Sequence, residues 1–196
     1  MSQADIDAFV ESASWHNTLT PQGVTAAVAK GIPVNGRHSK WGCTALHWAV
    51  CLERCDVVVA LLAAGADPNV KDPDGRTSVR EGAKWSTADI LQLLIDSGGN
   101  VNEPPNNGCT PLIALVRLGD GDAATRLEVL LACIELDLDV EYEGKTAEEW
   151  AVHMCHVELA SAIAQERARR VRWSAVRCAW IAGTVLPTAT PYCSCK

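Results

Sequence analysis

Four segments of the chain superimpose without internal gaps: Trp41-Gly-Cys-Thr-Ala-Leu-His-Trp-Ala-Val50, Asp74-Gly-Arg-Thr-Ser-Val-Arg-Glu-Gly-Ala83, Asn107-Gly-Cys-Thr-Pro-Leu-Ile-Ala-Leu-Val116 and Glu143-Gly-Lys-Thr-Ala-Glu-Glu-Trp-Ala-Val152. Their glycines fall at 42, 75, 108 and 144, so the spacings are 33, 33 and 36 residues. A short unit repeated at fixed period cannot bury its apolar face alone. Neighbouring copies must cover it, which restricts the chain to a stacked, quasi-linear architecture.

A second marker recurs between the first: Gly31-Ile-Pro-Val-Asn35, Gly65-Ala-Asp-Pro-Asn69, Gly98-Gly-Asn-Val-Asn102 and a degraded copy, Glu135-Leu-Asp-Leu-Asp139. Each first-marker glycine supplies a tight turn, and a Thr two residues later is placed to cap the helix that follows. Thr146 and Glu149 have the spacing of a capping box. The apolar blocks Val57 to Ala64, Ile90 to Ile95 and Leu127 to Ile134 read as second helices, with Gly65 and Gly98 as C-terminal caps in two of them. Each unit is therefore turn, helix, turn, helix.

The paired markers resemble the ankyrin repeat, which runs from a Gly-x-Thr-Pro-Leu-His-x-Ala start to a Gly-Ala-Asp-x-Asn end. Gly42, Thr44, Leu46, His47 and Ala49 match the start best, and Gly108-Cys-Thr110-Pro111-Leu112 keeps the proline. The resemblance spans about residues 4–170 and implies an all-α solenoid of about five repeats, caps included, made of helix-turn-helix units joined by hairpin loops. The expected divisions are an N-terminal capping repeat over 1–36 and repeats over 37–69, 70–102, 103–140 and 141–170. A C-terminal helix extension and flexible tail would occupy 171–196. The resemblance assigns His47 a structural role.

Departures from the pattern carry information. Gly108 to Glu135 is 27 positions where the two preceding intervals are 23, which places an insertion at Leu118-Gly-Asp-Gly-Asp122. Val79-Arg80 and Glu148-Glu149 replace Leu-His, so the histidine's hydrogen bonds must be made differently there. Residues 4–30 hold two amphipathic stretches, Ala4 to Trp15 and Pro21 to Lys30, without the Gly-Thr turn. A capping repeat suits them.

In such a stack, hairpin tips and the open sides of the first helices line one concave face. The register places Trp48, Glu81, Ala114 and Trp150 on it, with Lys84, Trp85, Arg117, Leu118 and Met154 further along and Trp41, Asp74, Arg76 and Tyr142 at the hairpins. Seven Trp against one Phe and two Tyr is an unusual balance. Trp is enriched at interface hot spots, so four of the seven on one face point to recognition of a partner protein or peptide. The expected contact set is Trp41, Trp48, Asp74, Arg76, Glu81, Lys84, Trp85, Arg117, Tyr142 and Trp150.

Chemistry has less support. His153, Cys155 and His156 cluster, and Cys51 and Cys55 lie four apart, but neither group completes a metal-ligand set. The nine cysteines read as reduced, buried thiols packed among apolar residues. No Gly-rich phosphate loop, H-E-x-x-H or G-x-S-x-G occurs. The expectation is a binding module without catalysis, metal or cofactor.

Charge separates the chain into two parts. Residues 1–164 carry 11 Lys/Arg and 23 Asp/Glu, a net of −12, while residues 165–196 carry 6 and 1, a net of +5. The acidic body disfavours nucleic acid. The basic segment, with helical spacing from Val157 to about Ala182, reads as a cap over the end of the stack. The alternative is an interfacial membrane helix over 165–182 that tethers a scaffold to the membrane surface. After Gly183 the chain turns Pro- and Thr-rich and is expected to be extended. Cys193 is fourth from the end, but Ser194 and Lys196 fit prenylation poorly. An acidic N-terminus without an apolar h-region leads to the expectation of a cytoplasmic, or nuclear, monomer.

Overall fold

The computed structural model describes residues 2–14 and 18–181, with side chains through residue 175. Ten helices are present among them: α1 (Gln3–Ala13), α2 (Pro21–Ala29), α3 (Ala45–Cys51), α4 (Cys55–Ala63), α5 (Ser78–Trp85), α6 (Ala88–Asp96), α7 (Pro111–Leu118), α8 (Ala123–Ala132), α9 (Ala147–His153) and α10 (Val157–Ile181). The only strand-like pairing among the described residues is one antiparallel bridge between Tyr142 and Lys145. The Pro/Thr-rich segment after Gly183 and the side chains of Trp15, Cys178, Trp180, Cys193 and Cys195 lie outside the described residues.

The helices pair into five units and pack in two layers. First helices α1, α3, α5, α7 and α9 touch in series, and so do second helices α2, α4, α6, α8 and α10. One continuous core runs between the layers, and Leu46, Leu61, Leu91, Leu94, Leu115 and Leu130 within it are 0–1% exposed. Burial of this kind stabilises by about 25 cal/mol per Å² of apolar surface, so each unit depends on its neighbours for most of its stability.

Local signals start and stop the helices as the sequence requires. The Thr77, Thr110 and Thr146 side chains accept from the backbone N–H groups of Arg80, Ile113 and Glu149. At α3 the third helical residue replies: the His47 Nδ1 accepts from the Thr44 backbone N–H at 3.3 Å, and Nε2 donates to the Arg76 carbonyl at 3.1 Å in the next unit. Those two roles fix the neutral Nε2–H tautomer. Burial pushes the His47 pKa down, in keeping with a neutral ring. In the last unit Glu149 closes the same box by accepting from the Thr146 backbone N–H at 2.8 Å. Arg80 performs no such closure and ion-pairs with Glu81 at 2.5 Å instead.

The hairpin glycines earn their identity from backbone geometry. Gly42, Gly75, Gly108 and Gly144 all have φ between 67° and 80°. A Cβ on Gly42 would strike the Pro73 ring, and one on Gly75 would strike Asn106, so these two hairpins also rest on their successors.

The second marker forms a ladder between units. Asn35 Nδ2 donates to the Gly65 carbonyl at 3.2 Å while its Oδ1 accepts from the Asp67 backbone N–H at 2.8 Å. Asn69 repeats both bonds with Gly98 and Asn100, and Asn102 repeats them with Glu135 and Asp137. The fourth marker ends in Asp139, which has no further unit to reach and meets Arg167 of α10 at 3.1 Å. The degraded copy is thus the end of the ladder, matched to a cation.

Part of the insertion falls after Leu118: four residues link α7 to α8 where three link α3 to α4 and two link α5 to α6, and the rest lengthens α8 and the turn that follows it. Gly119 takes a left-handed conformation that stops α7, and residues 119–122 bridge to α8. Arg126, 1% exposed, is anchored there by Asp120 and donates to the carbonyls of Lys84 at 2.9 Å and Ser86 at 3.1 Å. It thereby satisfies orphan carbonyls at the end of α5.

The extended α10 closes the stack. Arg170 donates to the carbonyls of Cys133 and Leu131 at 2.9 and 3.3 Å, and to that of Leu136 at 2.5 Å, capping the C-terminal end of α8. Glu166 ties the helix together through Arg169 at 2.6 Å and Arg170 at 2.8 Å. Among the described residues, no helix is long and apolar enough to cross a membrane.

The thiols correct one expectation. Only Cys109 of the six described cysteines is fully buried; Cys43, Cys51 and Cys133 are half-buried, and Cys55 and Cys155 are exposed. Cys155 is exposed because it occupies the left-handed turn, φ 62°, that ends α9.

Candidate partner-binding face

The first helices and hairpins present a row of aromatic and charged side chains. At its N-terminal end the Trp41 ring stacks on His38 with centroids 4.0 Å apart and meets the edge of Trp48 at 5.8 Å. His38 was not foreseen from the sequence. It is 4% exposed, and its Nδ1 accepts from the backbone N–H groups of Lys40 and Trp41, which fixes the hairpin that carries Trp41.

At the next hairpin Arg76 organises the acids around it. Its guanidinium meets Asp72 at 2.8 Å and Asp74 at 2.7 Å, and lies 3.8 Å from Glu81. Asp72 is buried, and its carboxylate also accepts from the backbone N–H groups of Asp74 and Arg76. Glu81, expected on the open face, is instead 7% exposed. The reason is electrostatic: Arg80 and Arg76 reach it from two sides, and the Cys51 thiol donates to it at 3.8 Å. Burial, and next the Glu81 charge, push the Cys51 thiol up to about 12. Burial also raises Cys43 and Cys133. Such thiols remain protonated at neutral pH and are poor nucleophiles.

Further along, Lys84 lies over the Trp85 ring at 4.4 Å, and Trp85 is 46% exposed. Arg117 sits over both Tyr142 at 5.1 Å and Trp150 at 4.8 Å. Trp150, also expected to be open to a partner, is 7% exposed, and its indole N–H donates to the Tyr142 carbonyl at 2.9 Å. With an aromatic hairpin, a cation and the end of the stack around it, Trp150 serves as a wall that holds Arg117. Tyr142 and Trp150 lie in tilted contact at 6.1 Å.

The expected residues therefore fall into neighbouring groups along the face: Trp41 with Trp48, Asp74 with Arg76 and Glu81, Lys84 with Trp85, and Arg117 with Tyr142 and Trp150. Two depressions separate successive first helices. One, of about 190 Å³, lies between α3 and α5 and is lined by Trp48, Asp72, Arg76 and Glu81 among others. The other, of about 290 Å³, lies between α5 and α7 and is bounded by Arg80, Lys84, Trp85, Arg117 and Met154. Arg80 departs in sequence from the histidine pattern, and one unit's residues do not reveal that it lines this second depression.

The His153, Cys155 and His156 cluster is dispersed by the turn after α9. His153 meets the edge of Trp150 at 5.5 Å, while Cys155 and His156 line a separate cleft against residues 119–124. Among the described residues, no group of three or more His, Cys, Asp or Glu is placed to hold a metal ion.

Comparison with known proteins agrees with this architecture. The family model for the ankyrin repeat matches residues 41–73, the unit with the fullest Gly-x-Thr-x-Leu-His signature. The chain is 31% identical over 150 residues, 75% of its length, to the human neurogenic locus notch homolog protein 2. It is 28% identical over 148 residues to the zebrafish (Danio rerio) neurogenic locus notch homolog protein 1, and 35% identical over 100 residues to the Drosophila melanogaster Neurogenic locus Notch protein. The match covers 75% and 50% of the present chain, respectively, and only 4% to 6% of the three relatives' own lengths. With its paired helices, recurrent hairpins and ladder of asparagines, the chain belongs to the ankyrin repeat family.

Proposed function

We propose that the protein is an adaptor or scaffold that binds a partner protein or peptide across the hairpins and open sides of its first helices, and that it acts by recognition without catalysis. Ankyrin repeats are protein-interaction modules. The single observation that carries the choice of face is the alignment of Trp41, Trp48, Trp85 and Arg117 along it, at consecutive units and with Trp85 46% exposed. Rigid aromatic rings beside oriented cations are the usual anchors of an interface.

The membrane-tether alternative draws less support. Arg167 is engaged with Asp139 and Glu148, Arg169 with Glu166, and Arg170 with Glu166 and the end of α8. Cations committed within the fold are not free for lipid headgroups, and the helix serves the stack as a cap.

Affinity capture from the source lysate tests the proposal, with wild type, Trp85→Ala and, as a control on the outer layer, Ile134→Ser. The expected result is a partner retained by wild type and Ile134→Ser and depleted at least about tenfold by Trp85→Ala, with unfolding curves of the three proteins superimposed. A partner set indifferent to Trp85 would move recognition to another surface.

A further inference from the structure

The two depressions on the first-helix face differ in charge. Between α3 and α5, Arg76 is balanced locally by Asp72 and Glu81. Between α5 and α7 the lining contains Arg80, Lys84 and Arg117 and no carboxylate. This concentration of cations occurs in a chain of net charge −7.

Each cation is held in place. Arg80 is 7% exposed; one guanidinium nitrogen pairs with Glu81, while its Nε has no hydrogen-bond partner among the described residues. A buried, incompletely satisfied guanidinium is costly unless a ligand completes it. Arg117 is oriented by the Tyr142 and Trp150 rings, and Lys84 by Trp85. Burial, and next repulsion from Arg80, lower the Lys84 pKa, so an anion placed beside Lys84 would favour its charged form. The remaining wall is apolar and open, with Trp85 46% and Met154 41% exposed.

We infer that the depression between α5 and α7 receives an Asp or Glu side chain of an acidic peptide, whose apolar neighbour lies on Trp85 and Met154. The inference rests on the reading of this face as the partner-binding one and names the chemistry of the partner. The carboxylate replaces water on Lys84 and Arg117 and faces the unsatisfied edge of Arg80. Charge-assisted bonds of this kind are the strong ones, and a rim of opposite potential also steers encounter.

The test is selection of short random peptides from a displayed library on the full chain, followed by affinity measurement of the recovered peptides against Lys84→Gln, Arg117→Gln and Trp85→Ala proteins. The expected peptides are enriched in Asp or Glu next to an apolar residue. Their affinity falls about tenfold or more with Lys84→Gln or Arg117→Gln, and it weakens steeply between about 0.05 M and about 0.3 M NaCl. Replacing the peptide's acid by its amide removes the effect of both substitutions. Thermal unfolding of each variant is compared first, and Lys84→Arg, which keeps the charge, is expected to retain most of the affinity.

Peptides without acidic enrichment that still depend on Trp85 would overturn the carboxylate site and leave the partner-binding face standing. Peptides that depend on none of the three residues would count against both. Recovery of no binding peptide, or displacement of the recovered acidic peptides by single-stranded RNA at equal concentration, would also overturn the inference.

Discussion

Asn35, Asn69 and Asn102 occupy equivalent places and make the same pair of bonds to the unit that follows. Replacing Asn69 by Ala removes one bond to the Gly98 carbonyl and one from the Asn100 N–H. The expected loss is about 1–3 kcal/mol, since each bond contributes about 1 kcal/mol and the orphaned groups gain only water. Urea unfolding measures it, and a loss below about 0.5 kcal/mol would mean that the ladder is ornamental. The marker asparagines were legible as a recurring pattern, but their bonds were not, because both partners lie about one full period away. The left-handed turns behave in the opposite sense. Glu53 and Cys155 hold φ of 54° and 62°, where a Cβ is disfavoured. Cys155→Gly should therefore raise stability by up to about 1 kcal/mol, whereas Gly75→Ala should lower it by more than that, because its Cβ also meets Asn106. Equal and opposite shifts in unfolding midpoint would not be expected; a neutral Gly75→Ala would contradict the hairpin-on-hairpin account.

Helices in this chain are short, and what holds each is its attachment to a neighbour. The first helix is tied to the hairpin of the next unit by Asp7, whose carboxylate accepts from the Ser39 backbone N–H at 2.8 Å and from its hydroxyl at 2.5 Å. The Ser39 hydroxyl, with Gln3 and the Ser39 backbone, holds the Asp7 pKa down from 3.8 to about 2. A depressed carboxyl pKa stabilises the folded form above the ordinary value, and the contribution is lost as pH falls from 3.8 toward about 2. Hydrogen exchange should thus find α1 losing protection in this window in wild type and not in Asp7→Asn, which is already loosened at neutral pH. An identical pH profile in the two proteins would remove Asp7 from the account. At the other end, Arg170→Ala should uncover the carbonyls that close α8 and cost about 2–3 kcal/mol, with faster exchange in α8 and α10 before α3 or α5. The amphipathic course of α10 was readable from its spacing. The use of Arg170 was not, because it meets mainly main-chain carbonyls, which leave no trace in residue identity.

Taken whole, the molecule is a linear stack with one face of repeating scaffold and another of unit-specific side chains. The scaffold was legible: the glycines, threonines and marker asparagines recur at a period that only stacking explains. The candidate face was legible in outline, since register placed Trp41, Trp48, Trp85 and Arg117 on first helices and hairpins. Exposure within that face was not. Glu81 and Trp150 occupy the right register and are buried, one by two arginines and the other by Tyr142 and Arg117. Neighbours from other units decide such burial, and a single unit's sequence does not contain them. If partners bind across the first helices, hydrogen exchange on the full chain with a captured partner, compared with the free protein, will show it. Protection is expected in α5, α7 and the hairpins that carry Trp41, Asp74 and Tyr142, with α4, α6 and α8 unchanged. Protection confined to those second helices, or to α10, would contradict binding across the first helices.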